Sequence, residues 1–462
     1  MTNEDRALMS RLSKGLGAQG YSQAAQIFIR LAEVPLLLGF WGTQLYGEWL
    51  MLAAIPACLA ICDGGFTGAA GREMGMRSGA GDRRGAMALF QSTWLLLLLV
   101  SLVFGFLSLV AVQVAPLHEW LGFKVMNQAT VKLVSLLLVA HVLVGFQEGL
   151  LYGGYYCERR YAMGMGLSAT VQLMEFGGLT LAVALGGGPV EGALGYLGGR
   201  IVGLFLMRFG LFRVTPWLRY GWRVAMLREV RRLAPSAFAS LAFPLGNALN
   251  IQGMRLLVGL LLGPAAVAIF STIRTLTRIS MQPASVINRL IEPELASAYG
   301  GNHRDVFRNL FNRSCQVALW MSAASCIALG VVGERVLSIW TQAKVIMDLP
   351  LFAFLLLSAA VNAFWNTSLM ASYATNRYAR VALTYSAIYG GVAFGLAYVF
   401  IKILGITGGG LAALLTEVAI FPYVLRNTFI ITGDSWTSWW NNVARPPWFI
   451  FRKLRGASVI QG

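Results

Sequence analysis

The residues Ser271, Arg274, Arg278, Gln282, Ser285 and Arg289 step by 3, 4, 4, 3 and 4, the spacing of one face of a helix. Two guanidinium groups one turn apart repel unless something anionic lies between them. Arginine grips phosphate bidentately and keeps its charge at any relevant pH. The stripe therefore points to recognition of phosphate or diphosphate. A second stripe, Gln19, Gln23, Gln26, Arg30 and Glu33, steps by 4, 3, 4 and 3, and Arg30 and Glu33 are near enough to pair. Arg30, Arg274 and Arg278, with Arg255 near one end, suit a diphosphate head group. Gln26, Asn250, Asn366, Trp365 and Tyr385 suit sugar hydroxyls and ring faces. Together they describe an amphipathic ligand with an anionic head, a sugar portion and a lipid tail.

The elements that carry these stripes are apolar. Of the 462 residues, 57% are hydrophobic and 12% charged, and the mean hydropathy is +0.63. A soluble domain carries about a quarter charged residues. The chain is therefore an integral membrane protein, which excludes soluble enzymes, disordered chains and disulfide-stapled secreted modules. A crossing helix needs about 20 largely apolar residues, and the sequence offers twelve spans. They cover 17–40, 47–66, 87–112, 131–154, 164–185, 193–213, 233–259, 264–288, 314–340, 349–371, 381–402 and 407–430. The expected architecture is all-α: an N-terminal six-helix lobe (1–213), a cytoplasmic or interfacial linker (214–232), a C-terminal six-helix lobe (233–430) and a cytoplasmic amphipathic tail (431–462).

Orientation follows from the net charge of +17. With both termini cytoplasmic, 24 Lys and Arg fall on cytoplasmic segments and 5 on external loops, and basic residues collect on the cytoplasmic side. The linker (Trp217-Leu-Arg-Tyr-Gly-Trp-Arg-Val) reads as a surface helix, and the tail repeats its aromatic and basic character with Trp436, Trp439, Trp440, Trp448, Arg452, Lys453 and Arg455. The start of the chain is polar and mixed in charge, unlike a cleavable signal. Cys58 and Cys62 read as packing residues, and no metal site or cofactor is expected.

The halves repeat at an offset of about 218–222. GTQLYGEWLMLAAIP is echoed by GPAAVAIFSTIRTLT, and the fourth span by the tenth, where Tyr373, Asn376 and Arg377 replace Tyr155, Glu158 and Arg159. Parallel six-span repeats imply an axis along the membrane normal, a cavity between two bundles and alternating access. Ionisable groups inside spans are functional candidates by default. His141 and Glu148 on the fourth span, Glu175 on the fifth, Arg200 on the sixth and Glu417 on the twelfth join the stripes. Glu175 and Arg200 could neutralise each other, and Glu417 suits helix packing.

The block Gly42-Thr-Gln-Leu-Tyr-Gly-Glu-Trp49, then Asp63-Gly-Gly-Phe, Leu257-Val-Gly-Leu-Leu-Leu-Gly263, Glu292-Pro-Glu-Leu and Gly408-Gly-Gly-Leu-Ala-Ala-Leu-Leu-Thr-Glu417 resemble the Wzx-type oligosaccharide flippases. These belong to the multidrug/oligosaccharidyl-lipid/polysaccharide exporter superfamily, and the likeness covers residues 10–430. It implies translocation of undecaprenyl-diphosphate-linked oligosaccharide across a bacterial plasma membrane, with polysaccharide polymerase and chain-length proteins as partners in assembly. It also assigns a cationic lumen role to Arg30, Arg274 and Arg278. The acid expected near Gln252-Gly-Met-Arg255 is missing, so ion coupling through a carboxylate would fall to Glu33 or Glu148.

Three other functions compete. A lipid II flippase is the nearest, but such proteins often carry extra spans, and nothing past residue 430 supplies them. A multidrug antiporter of the same superfamily would carry acids in its cavity, against the arginine excess seen here. A membrane enzyme of polysaccharide assembly would need a sizeable external loop, and the longest external connection, around 115–130, has about fifteen residues. No nucleotide or nucleophile motif is present.

Overall fold

The structure is a computed structural model that describes residues 3–446 apart from 64, 159, 302 and 376–378. Arg159, Asn376, Arg377, Trp448, Arg452, Lys453 and Arg455 lie outside the described residues, as does the side chain of Cys62. Every regular element among the described residues is helical. Among the described residues, ten helices are long and apolar enough to cross a membrane. Two features bring these to the twelve segments expected. The stretch Lys14–Leu59 is broken at Gly42, whose φ of 72° and ψ of 177° no helix can contain, so it divides into spans 1 and 2. Pro264–Thr277, a 3-10 turn at Arg278–Met281 and Gln282–Gly300 form one interrupted segment, span 8. The others are span 3 (Arg83–Val114), span 4 (Gln128–Gly154), span 5 (Tyr161–Ala184), span 6 (Pro189–Val214), span 7 (Phe243–Leu262), span 9 (Arg304–Trp340), span 10 (Leu349–Ala374), span 11 (Val381–Leu404) and span 12 (Ile406–Thr432).

The repeat is written in the backbone. Gly42 and Gly263 each join two consecutive spans with positive φ, 72° and 89°. Further positive φ values recur at Gly122 and Gln342, and at Gly186 and Gly405. Asn127 caps span 4 by accepting from the Thr130 N–H at 2.8 Å, and Asp348 caps span 10 by accepting from the Leu351 N–H at 2.9 Å. A 3-10 turn closes span 2 at Ala60–Asp63 and interrupts span 8 at Arg278–Met281. Each pair lies 218–221 residues apart.

The chain packs as two compact units, Met1–Ala268 and Ile269–Gly462. In the first, spans 5 and 6 meet backbone to backbone. Gly195, Gly199 and Gly203 line one face of span 6 at four-residue spacing. A Cβ on Gly199 would stand 2.1 Å from the Met174 carbonyl oxygen, and one on Gly195 2.2 Å from that of Gly178. This is the small-residue contact that lets membrane helices approach where burial from water supplies no drive. In the second unit spans 10 and 12 are the most enclosed, and a Cβ on Gly408 would lie 2.0 Å from the Phe400 carbonyl oxygen.

The linker departs from the sequence expectation. Residues 215–226 are not helical, and helix resumes only at Leu227. Pro216 and Gly221 interrupt it, and span 3 side chains take its backbone groups. Gln91 donates to the Arg219 carbonyl and accepts from the Val224 N–H, both at 3.1 Å, while Ser92 accepts from the Met226 N–H at 2.8 Å. The Tyr220 ring lies 5.4 Å from Phe90 and 5.2 Å from Trp94, beneath the Arg208 guanidinium. The tail does form a helix, Trp436–Val443, with Trp439 buried and Trp436 and Trp440 partly exposed.

Gly199→Ala forces spans 5 and 6 apart. We expect a loss of at least about 1–3 kcal/mol in thermal unfolding in detergent, the cost of overpacking. Gly198→Ala, which meets nothing within 4 Å, is the control and should melt like the parent.

Candidate functional site

Each unit contains a carboxylate held by groups from three consecutive spans, 4 to 6 in the first and 10 to 12 in the second. In the first unit, Glu175 on span 5 is buried. Its Oε1 accepts from Arg200 Nε of span 6 at 2.5 Å, and its Oε2 lies 3.3 Å from His141 Nε2 of span 4. The His141 ring stacks on Tyr196, with centroids 3.9 Å apart. Arg200 also donates to the His141 carbonyl at 3.3 Å and stands 3.8 Å from Glu148, which takes a hydrogen bond from Ser168. A cavity of about 410 Å³ adjoins this cluster, lined by His141, Glu148, Ser168 and Arg200 together with Asp63 and Thr67. Asp63 is occupied locally, accepting from the Gly65 N–H at 2.9 Å and the Thr67 hydroxyl at 2.6 Å.

In the second unit, Glu417 on span 12 is buried and accepts three neutral donors. These are Trp365 Nε1 at 2.7 Å and Asn362 Nδ2 at 3.0 Å from span 10, and the Tyr389 hydroxyl at 2.5 Å from span 11. Tyr389 sits in a π-helical turn, Ile388–Val392. Such a turn holds one extra residue and rotates the side chains beyond it. Tyr385 packs against both Tyr389 and Trp365.

The sequence-selected residues fall into three places. Arg30, Glu33 and Arg255 come together in the first unit, where Arg255 first and Arg30 second are the charges acting on Glu33. Arg255 also donates to Gln252 at 3.2 Å, in a π-helical turn that buries Asn250. Gln26 is half-buried one turn before Arg30. Glu148 stands apart from them, in the Arg200 cluster. In the second unit Arg274 and Arg278 are half-buried, and both act electrostatically on Tyr385, whose surroundings include Trp365 and Glu417. Trp365 is 2% exposed with its indole N–H directed to Glu417, and Asn366 is half-buried beside it. Among the described residues, no carboxylate lies within ion-pair distance of Arg278.

The whole chain resembles several solved membrane transporters. An inward-facing multidrug resistance MATE family transporter of the MOP superfamily matches with a TM-score of 0.69 and 16% identity, over 92% of this chain and 99% of the other. The lipid II flippase MurJ in an inward closed conformation matches with a TM-score of 0.70 and 13% identity, over 96% of each. The MATE multidrug transporter DinF-BH in complex with R6G matches with a TM-score of 0.63 and 13% identity, over 92% of this chain and 96% of the other. The chain shares its fold with these proteins. No family model and no curated protein matches the sequence. The protein is thus multi-pass and shares its fold with transporters and a flippase.

Sequence reasoning missed Glu48, which is fully buried and accepts from the N–H groups of Lys124, Val125 and Met126 at 2.7, 2.9 and 2.8 Å. Its carboxylate folds the 115–127 connection onto span 2. It also missed Tyr196 and Tyr389, because the partners of an aromatic hydroxyl or ring lie far off in sequence. Cys157 is no nucleophile: burial pushes its thiol up to about 12.

Arg200→Leu leaves Glu175 buried without its cation. We expect it to cost roughly 3–5 kcal/mol, and Arg200→Leu/Glu175→Leu to recover a large part of that loss. A double-mutant cycle of thermal unfolding in detergent measures both, and full additivity would remove the pair from the fold's support.

Proposed function

We propose that the chain is a flippase that moves undecaprenyl-diphosphate-linked oligosaccharide from the cytoplasmic to the periplasmic leaflet of a bacterial plasma membrane by alternating access, for cell-surface polysaccharide synthesis. The observation that carries the reading is Arg278. Its guanidinium is half-buried within a membrane span, with no carboxylate in ion-pair distance among the described residues. The nearby Glu417 has its oxygens filled by three neutral donors. A cation so placed is costly unless it serves a ligand or pathway, and phosphate suits its planar donors. Arg274 and Arg30 add cationic character on their own faces. Tyr385, Trp365 and Asn366, with Gln26, Asn250 and Arg255 in the first unit, are the proposed contacts to sugar and diphosphate. A neighbour in fold, MurJ, is a lipid II flippase, which supports a lipid-linked substrate. Polysaccharide polymerase and chain-length proteins would act on the translocated product, and both termini would be cytoplasmic.

One observation favours a second reading. The 410 Å³ cavity of the first unit is bordered by Glu148 and Asp63, and cavity acids suit cation export. Two neighbours in fold are multidrug transporters.

We expect Arg278→Ala to abolish surface polysaccharide while insertion and abundance stay normal. Lipid-linked repeat units should then accumulate on the cytoplasmic leaflet. Normal polymer output from this variant removes Arg278 from the site. A deletion strain with unchanged polymer and new sensitivity to cationic dyes, with efflux lost in Glu148→Gln, would replace the flippase reading by the second.

A further inference from the structure

The two units handle positive charge differently at corresponding points. In the first, Arg77 on the helix Phe66–Gly79 reaches over the start of span 3. It donates to the Gly85 carbonyl at 3.1 Å, to Glu73 at 3.0 Å and to Glu229 at 2.7 Å. Arg83, at the start of span 3, lies 3.4 Å from Glu158, and Asp82 caps the helix by accepting from the Gly85 N–H. Every basic group in this arrangement has an internal acid.

In the second unit the residues 221 positions on are Ala298 for Arg77, His303 for Asp82 and Arg304 for Arg83. The sequence repeat sets Asn376 where the first half has Glu158. Three consequences follow. Alanine leaves open the volume that an arginine could fill, and Ala298 lines a cavity of about 450 Å³. His303 makes no side-chain cap, so the first N–H groups of span 9 lack that acceptor. Arg304, which also lines the cavity, has no carboxylate within ion-pair distance among the described residues. The next arginine along, Arg308, is already committed to Asp434. Asp305 does not line the cavity.

The remaining walls decide what enters. They are the end of span 8 (Tyr299), the start of span 9 (Phe307) and the end of span 12 (Ile430 to Gly433). Ile430 is 69% exposed and Tyr299 44%, at the end of apolar helices where tails of membrane lipid would lie. Tyrosine beside arginine at a span end is the composition of a membrane interface.

We infer that this cavity holds the phosphate head group of an anionic membrane lipid, with Arg304 as its phosphate ligand and Ile430 and Tyr299 against its chains. None of the proposed transport residues lines this cavity. The full chain in detergent is titrated with dioleoylphosphatidylglycerol and counted by native mass spectrometry. One tightly bound lipid per chain is expected, with affinity falling at least tenfold in Arg304→Ala and in Ala298→Arg, which puts a long side chain into the cavity. Arg83→Ala removes the same charge from the first unit and should leave binding unchanged. Thermal unfolding verifies that each variant is folded, and Arg304→Ala, altering an exposed side chain, keeps the test open should Ala298→Arg misfold. Equal binding by all variants overturns the site. Equal binding of dioleoylphosphatidylcholine overturns the anionic lipid, and displacement by inorganic phosphate overturns the lipid in favour of a soluble anion.

Discussion

A carboxylate inside a membrane span is tolerated only where neighbouring helices supply its donors, and that requirement organises both halves of this protein. Glu175 ties spans 4, 5 and 6 through His141 and Arg200, and Glu417 ties spans 10, 11 and 12 through Asn362, Trp365 and Tyr389. Both acids are buried, so a lost partner costs free energy, and each acid holds three helices in register at once. The glycine faces of spans 6 and 12 then permit the close approach that the acids demand. Departures from regular helix collect elsewhere: at Gly42 between spans 1 and 2, at the π-turn in span 7, and at the 3-10 turn in span 8 where Arg278 sits. The π-turn of span 11 is the exception, and it carries Tyr389 to Glu417.

Much of this was legible in the sequence, and the division between what was and was not is physical. Span positions follow from hydropathy because a crossing must satisfy its backbone within one segment. The repeat was visible in weak motif echoes, and its clearest trace, the positive-φ residues at matching offsets, was half visible as glycines. The partners of the buried acids were less so. Arg200 lies 25 residues from Glu175, and Asn362 and Trp365 lie 55 and 52 from Glu417, so periodicity along one helix cannot pair them. The Gly195-Gly199-Gly203 spacing was available as a packing signal. Glu48 was present in a quoted motif, but nothing local says that a carboxylate will take three backbone N–H groups from a connection 76 to 78 residues on. The linker was misjudged because its aromatic and basic residues suit a surface helix equally well, whereas Gln91 and Ser92 of span 3 claim its backbone groups.

The two acid clusters share a geometry and differ in charge. Glu175 and Glu148 enclose Arg200, so the first cluster carries its own cation. Glu417 is satisfied by three neutral donors and, among the described residues, closes on no cation in an ion pair. Arg278, with no carboxylate within ion-pair distance among the described residues, keeps its donors. Had Glu417 instead closed on Arg278 as Glu175 closes on Arg200, the guanidinium fork would be consumed. The neutral ring of Asn362, Trp365 and Tyr389 is thus the feature of the second unit that leaves the half-buried Arg278 outside an internal ion pair, as its proposed role toward phosphate requires. The same logic, one half internally neutralised and the other left open to an external anion, recurs at the helix ends with Arg77 and Ala298.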